Sequence, residues 1–196
     1  MKGKSALLVI DIQNDFCPGG ALPVPGGDKI VDAINEYMER FSEAGVQIFA
    51  TKDYHPVETK HFKEFGGIWP RHCVKGTPGA EFYPKLVFKY GTVVLTKGDR
   101  SNVEGSSVFE ARDPVGNFFN MVLEAGYIKH IYVCGLATDW CVKATVMDAL
   151  KKGYKVTVLL DAIKGVDVTP GDSEKAIEEM KKNGANMITL DELKLP

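Results

Sequence analysis

Six short runs of apolar, largely β-branched or aromatic residues punctuate this chain: 5–10, 46–50, 92–96, 131–134, 155–160 and 187–190. They are nearly unbroken rather than alternating, the pattern of strands buried on both faces. Between them, apolar residues recur at three- and four-residue spacing. Ile30, Ile34, Tyr37, Met38 and Phe41 form one stripe, Val142, Thr145, Val146 and Ala149 a second, and Ala176, Ile177 and Met180 a third. A further helix is expected to open at Asp113 and Pro114, carry Val115, Phe118, Phe119, Val122 and Leu123 inside, and stop at Gly126. Asp28, Thr138 or Asp139, and Asp172 or Ser173 are the expected N-caps, with Gly45 and Gly153 as stops. Alternating strands and helices predict an α/β fold of three layers, with helices on both faces of a mostly parallel six-stranded sheet. A length of 196 residues fits one domain, 1–196.

In open sheets of this kind ligands bind beyond the carboxyl ends of the strands. The first strand ends at Asp11, the second at Asp53, the third at Lys97, and the fourth leads through GLATD to Cys141. Cys141 falls in or near the first turn of a helix. Unpaired N–H groups and the positive end of the helix dipole there would ease ionisation of a thiol and receive a developing oxyanion. A free cysteine is otherwise most often a small buried hydrophobe, Asp11 alone a turn residue, and Lys97 alone a solvated charge. Their convergence from remote segments is the argument for chemistry. In such a trio Asp11 takes the thiol proton and Lys97 keeps Asp11 charged and oriented, an arrangement that contributes about 10²–10⁴-fold in proton transfer.

Residues 52–92 show no sustained period and carry four prolines and five glycines, too long a connection to be idle. Asp53, His55, His61 and His72 lie in it, so that three of the four histidines share an eighteen-residue window. Imidazole with carboxylate suits zinc, iron or manganese. His130 opens a strand and receives no role. Phe16 and Trp69, in loops flanking this region, could stack on a flat ring, the duller alternative being a lid or local core.

Several classes lack support. Lys and Arg number 24 against 26 Asp and Glu, with no basic stripe, which argues against nucleic acid or an anionic membrane as partner. The apolar run after the start stops at Asp11, too short for a signal peptide or a span, and the expected location is the cytoplasm. Cys17, Cys73, Cys134 and Cys141 stand far apart without a CxxC, as reduced thiols would. GxGxxG, GxxxxGKT/S and GxSxG are absent.

The pieces LLVIDIQNDFCPGGALPV, KDYHP, GGIWPRHCVKGTPGAEF, LTKG and GLATDWCV span residues 7–142. On them the sequence resembles the isochorismatase-like cysteine hydrolases, and within these the nicotinamidase (pyrazinamidase) branch, marked by the DxH loop and WPRHC. The resemblance implies the Rossmann-like fold of that family and hydrolysis of nicotinamide, with pyrazinamide as a further substrate, to the acid and ammonia in NAD salvage. It implies that Cys141 attacks the carboxamide carbon after Asp11 accepts its proton, that Lys97 supports Asp11, and that the backbone N–H groups of Ala137 and Cys141 hold the oxyanion. The Leu136–Ala137 peptide would be cis. One divalent metal, zinc with iron or manganese as alternatives, would sit on Asp53, His55 and His72, with His61 as a further ligand. Its role would be to bind the pyridine nitrogen and orient the ring rather than to activate water. Phe16 and Trp69 match ring-stacking positions. The sequence departs from the common HPxxH pattern: Thr59 stands four residues after His55, and the next histidine is His61. Two other readings compete, a sibling hydrolase of another small amide or carbamoyl compound, and a non-catalytic binding module with a structural metal. The expected partner is a small molecule, and a homo-oligomer is compatible.

Overall fold

The computed structural model describes residues 3–195. Its elements are β1 (Lys4–Ile10), α1 (Val31–Glu43), β2 (Gln47–Asp53), β3 (Val93–Lys97), α2 (Phe119–Ala125), β4 (Ile128–Leu136), α3 (Lys143–Lys151), β5 (Lys155–Lys164), α4 (Asp172–Lys182) and β6 (Asn186–Ile188). The strands form one sheet in the order β3-β2-β1-β4-β5-β6, and every described pairing is parallel. The chain steps outward from β1 through β2 to β3, then returns to β4 on the other side of β1. The order therefore reverses between β1 and β4, and their carboxyl ends open a crevice.

β1 shows why three layers form. Leu7 and Val9 face one core and Ala6, Leu8 and Ile10 the other, all of them buried, so neither face of the sheet can meet water. Fully burying a large aliphatic side chain contributes roughly 1.5–3 kcal/mol over leaving it exposed. On the first face α1 inserts Val31, Ile34, Tyr37, Met38 and Phe41. On the second, α2 supplies Phe119 and Leu123, α3 supplies Val146 and Ala149, and α4 supplies Met180.

The helix starts differ from the sequence expectation. Asp28 lies inside a 3-10 turn, Gly27–Ile30, and Val31 N–H donates to its carbonyl, so backbone replaces the capping side chain. Asp113 accepts the N–H groups of Val115 and Asn117 in a turn of its own, which delays the helix to Phe119 and leaves Val115 exposed. α4 is preceded by Gly171 in the left-handed region, while the Ser173 N–H and hydroxyl donate to Asp167. Neither Thr138 nor Asp139 caps the helix after β4, because a single π-helical turn, Thr138–Val142, intervenes and the Asp139 carboxylate binds N–H groups of another segment. The last strand stops at Ile188, since Thr189 and Glu192 form a capping box that opens a 3-10 turn.

Candidate active site

The strand ends bring Asp11, Asp53, Lys97 and Cys141 into one cluster. β2 and β3 pair Asp53 with Lys97 in register, so the two side chains emerge next to each other on one face. The Lys97 ammonium donates to Asp53 Oδ1 at 2.5 Å and to Cys141 Sγ at 3.4 Å, and lies 2.8 Å from Asp11 Oδ2. Lys97 is 0 % exposed, Asp11 1 % and Asp53 4 %, a burial that charged groups sustain only in company. Asp11 takes a left-handed backbone conformation (φ 52°), open to aspartate at low cost, as it leaves β1. Its Oδ1 accepts the Thr51 hydroxyl at 2.6 Å. Its Oδ2, close to the ammonium yet out of line with it, has no hydrogen-bond partner among the described residues and is free to accept a proton.

Charge and burial distribute the protons. Burial pushes the Asp11 carboxyl up, against the pull of Lys97 and with a further push from Asp53. Burial also raises the Cys141 thiol well above its ordinary range; Lys97 opposes this, and both carboxylates add to it. For Lys97, burial alone would favour the neutral amine, but Asp11 and Asp53 outweigh it and hold the ammonium charged. Asp53 is likewise kept ionised, its burial outweighed by Lys97 and then by His55. Burial thus works against the eased ionisation expected of Cys141, and an attack by this sulfur calls for a neighbouring base to take its proton.

Beside this cluster His55, His61 and His72 each turn one ring nitrogen toward a common point, the three atoms within 4.8 Å of one another. His55 Nδ1 lies 3.0 Å from the Gly98 carbonyl and His72 Nδ1 2.8 Å from that of Pro70. A carbonyl only accepts, so each Nδ1 carries the hydrogen and each Nε2 presents its lone pair. His55 Nε2 is buried without a hydrogen-bond partner and stands 3.6 Å from Asp53 Oδ2. Burial and the other imidazoles hold His61 down to about 3, and burial lowers His72 as well, so both stay neutral near pH 7. Converging imidazoles, an orphaned buried nitrogen and an adjacent carboxylate fit a divalent cation of zinc, iron or manganese type. Asp53 stands between the two clusters. Gly98 is required behind His55: its φ is +63°, and an added Cβ would lie 2.4 Å from His55 Cε1. Thr59 is buried; its hydroxyl accepts from the His61 N–H and reaches the Ser101 carbonyl, bending the loop so that His61 stacks on His55 at 4.4 Å.

Both clusters open onto one cavity. Phe16 and Trp69 form parts of its wall, together with Leu22, Val24, Ala137 and Val166. Cys141 is half-buried and lines this cavity, whereas Cys17, Cys73 and Cys134 are buried. The Leu136–Ala137 peptide is cis. His130, given no role, bonds Thr157 Oγ1 at 2.8 Å within the sheet. Three contributors went unassigned in the sequence. Thr51 orients Asp11, and Gln13 grips the backbone of Asp53 through both ends of its amide. Trp140 lines the cavity and meets Trp69 edge-on at 4.6 Å. Gln13 and Trp140 stand inside IDIQNDF and GLATDWCV, so proximity to Asp11 and Cys141 was the available signal; Thr51 gave none.

Comparison with known proteins gives concordant results. The isochorismatase domain model matches residues 5–192. The nicotinamidase of Escherichia coli is 38% identical over 94% of this chain and 94% of its own length. The nicotinamidase/pyrazinamidase of Mycobacterium tuberculosis is 36% identical over 93% of this chain and 97% of its own. The structure of the Pyrococcus horikoshii pyrazinamidase in complex with zinc superposes with a TM-score of 0.87 at 45% identity, covering 95% of this chain and 99% of that one.

Proposed function

This chain belongs to the isochorismatase family, and from that premise we propose that it is a metal-containing cysteine amidohydrolase that converts nicotinamide, and pyrazinamide, to the acid and ammonia. The observation that carries the reading is the Cys141 sulfur 3.4 Å from an ammonium that also holds two buried carboxylates, in a cavity lined by His61 and His72, two of three converging imidazoles.

The chemistry follows from where the protons rest. Asp11, raised by burial, accepts the thiol proton of Cys141 as the sulfur attacks the carboxamide carbon, and Lys97 stabilises the thiolate that forms. The backbone N–H groups of Ala137 and Cys141 receive the oxyanion. Asp11 then returns the proton to the nitrogen, ammonia leaves, and a thioester remains on Cys141. Water, giving its proton to Asp11, hydrolyses the thioester to the carboxylic acid, and the thiol is restored. Asp53, His55, His61 and His72 are the residues that would hold the divalent ion, zinc by likeness to the pyrazinamidase structure. Bound there, the ion supplies an anchor for the heterocyclic nitrogen. Phe16 and Trp69 flank the ring and confine it.

Among the described residues no helix is long and apolar enough to cross a membrane. All four cysteines are free, which supports a reducing compartment such as the cytoplasm. Nicotinamidase relatives at 38% and 36% identity support a role in NAD salvage. The test is ammonia release from nicotinamide by purified protein, abolished in Cys141→Ala and after chelation. Turnover of a carbamoyl compound with none of nicotinamide would transfer the reading to a sibling hydrolase. An unreactive Cys141 in a folded, metal-loaded chain would favour a binding module.

A further inference from the structure

β4 and β5 shift register between Val133 and Gly135 and then pair once more, Gly135 with Ile163 and Leu136 with Lys164. Beyond them the backbones part. β4 turns into Thr138–Val142, which carries Cys141, while β5 runs on into a segment whose Val166 lines the same cavity. Past the last ladder pair the N–H groups of Val166 and Asp167 have no strand to pair with, and backbone donors in a packed region require a partner. Both find Asp139: Oδ1 accepts from Val166 N–H at 2.9 Å and Oδ2 from Asp167 N–H at 2.8 Å.

The connection has a second stage. Asp167 adopts a left-handed φ of 51°, and its own carboxylate accepts the Ser173 N–H at 2.7 Å and the Ser173 hydroxyl at 2.8 Å, at the start of α4. α4 in turn packs against the Thr138–Val142 turn. Gly165 allows the close approach, since a Cβ there would lie 1.8 Å from Ser173 Oγ and 3.0 Å from Asp139 Oδ1. Within the turn the Trp140 and Val142 N–H groups both donate to the Ala137 carbonyl, which fixes its shape but does not tie it to another element. Asp139 is the side chain that ties the segment bearing the sulfur across the gap left where the ladder ends.

We propose that Asp139 is a positioning residue for the nucleophile: its two oxygens tie the turn bearing Cys141 to the cavity wall at Val166, and Asp167 locks that wall to α4. The kinetic readout rests on the amidohydrolase reading; the chemical readout does not. Asn keeps the size of the side chain but has one acceptor oxygen, so its NH₂ faces an N–H and half of the tie is lost. In purified full-length D139N, kcat for nicotinamide is expected to fall by about 10²-fold, the scale of a small misplacement at a reacting centre, with KM little changed. Alkylation of Cys141 by iodoacetamide slows in parallel, because the sulfur leaves the reach of Asp11 and Lys97, and bound metal per chain equals that of the wild type. D167N gives a smaller loss in the same sense and S173A a smaller one still, and these two decide the matter if D139N does not fold. A purely stabilising role would lower the melting temperature and leave alkylation of the folded protein unchanged, which overturns the proposal, as does a loss of kcat that tracks loss of metal. If wild-type protein fails to hydrolyse nicotinamide while D139N still slows alkylation, the function reading falls and the positioning role stands.

Discussion

The two polar clusters at the rim of the sheet share Asp53 and differ in how complete they are. Around Lys97 the protein supplies both signs of charge: one ammonium meets two carboxylates and a thiol, and nearly every polar atom has a neighbour. Around His55 it supplies lone pairs only. Three imidazoles face one another, the outer nitrogens of His55 and His72 fixed by backbone carbonyls, and one buried nitrogen lacks a partner. The first cluster is balanced by the chain's own residues and tuned for proton transfer. The second becomes balanced when a cation is added. Each cluster leaves one buried atom without a hydrogen bond, but Asp11 Oδ2 has an ammonium 2.8 Å away, while His55 Nε2 faces only other acceptors, the difference between a reaction centre and a binding site.

If this contrast is right, removing a group from the balanced cluster should cost most. Cys141→Ala is expected to reduce ammonia release to background with an unchanged circular dichroism spectrum; residual turnover would separate the reaction from that sulfur. Lys97→Met leaves two buried carboxylates facing each other and should destabilise the fold by roughly 3–5 kcal/mol, read by urea unfolding at neutral pH. A shift under about 1 kcal/mol would mean that water already screens the cluster.

The histidine cluster should respond to metal and to acid instead. Chelation is expected to abolish turnover while the folded chain persists, and replacing His72 should weaken metal binding more than replacing half-exposed His61, read by metal titration of the purified variants. In the chelated protein the sign of the pH effect follows from His61, whose folded value of about 3 lies below its ordinary 6.5. The unfolded chain takes up this proton first as pH falls, so the contribution is intact above about 6.5 and is lost between that pH and about 3. His72, also lowered, acts in the same direction, and Asp11, raised, acts in the opposite one. His61→Phe should flatten the melting-temperature profile in that window; an unchanged slope would show that His61 is solvated. The smallest effect is expected at the cavity wall, where Trp140→Ala removes the edge that Trp69 rests on and should raise KM a few-fold with kcat retained.

Much of this was legible in the chain. Unbroken apolar runs such as ALLVI and IYVC have one stable use, as strands covered on both sides, and their ends name Asp11, Asp53, Lys97 and the approach to Cys141. The clustering of His55, His61 and His72 in an aperiodic loop also pointed to a common ligand. Helix starts were less legible, because Asp28, Asp113 and Asp139 have the chemistry of caps whether or not a helix begins beside them. Each of these carboxylates could satisfy several backbone donors, and the competition was decided by neighbours distant in sequence. The environment of Cys141 was illegible for the same kind of reason: a helix start and a nearby lysine favour a thiolate, and the burial that opposes them is a property of the packed cavity.

By itself the sequence determined the layered parallel architecture and the set of reactive residues at its rim, because periodicity and strand ends are local properties of the chain. Only the tertiary structure decided that Asp53 would be shared between an ammonium and an imidazole, that Thr51, Gln13 and Trp140 would surround the reactive groups, and that Asp139 would bind the segment after β5 instead of capping a helix. Those outcomes depend on distances between segments tens of residues apart, and distances, together with the desolvation that accompanies them, exist only once the chain has folded.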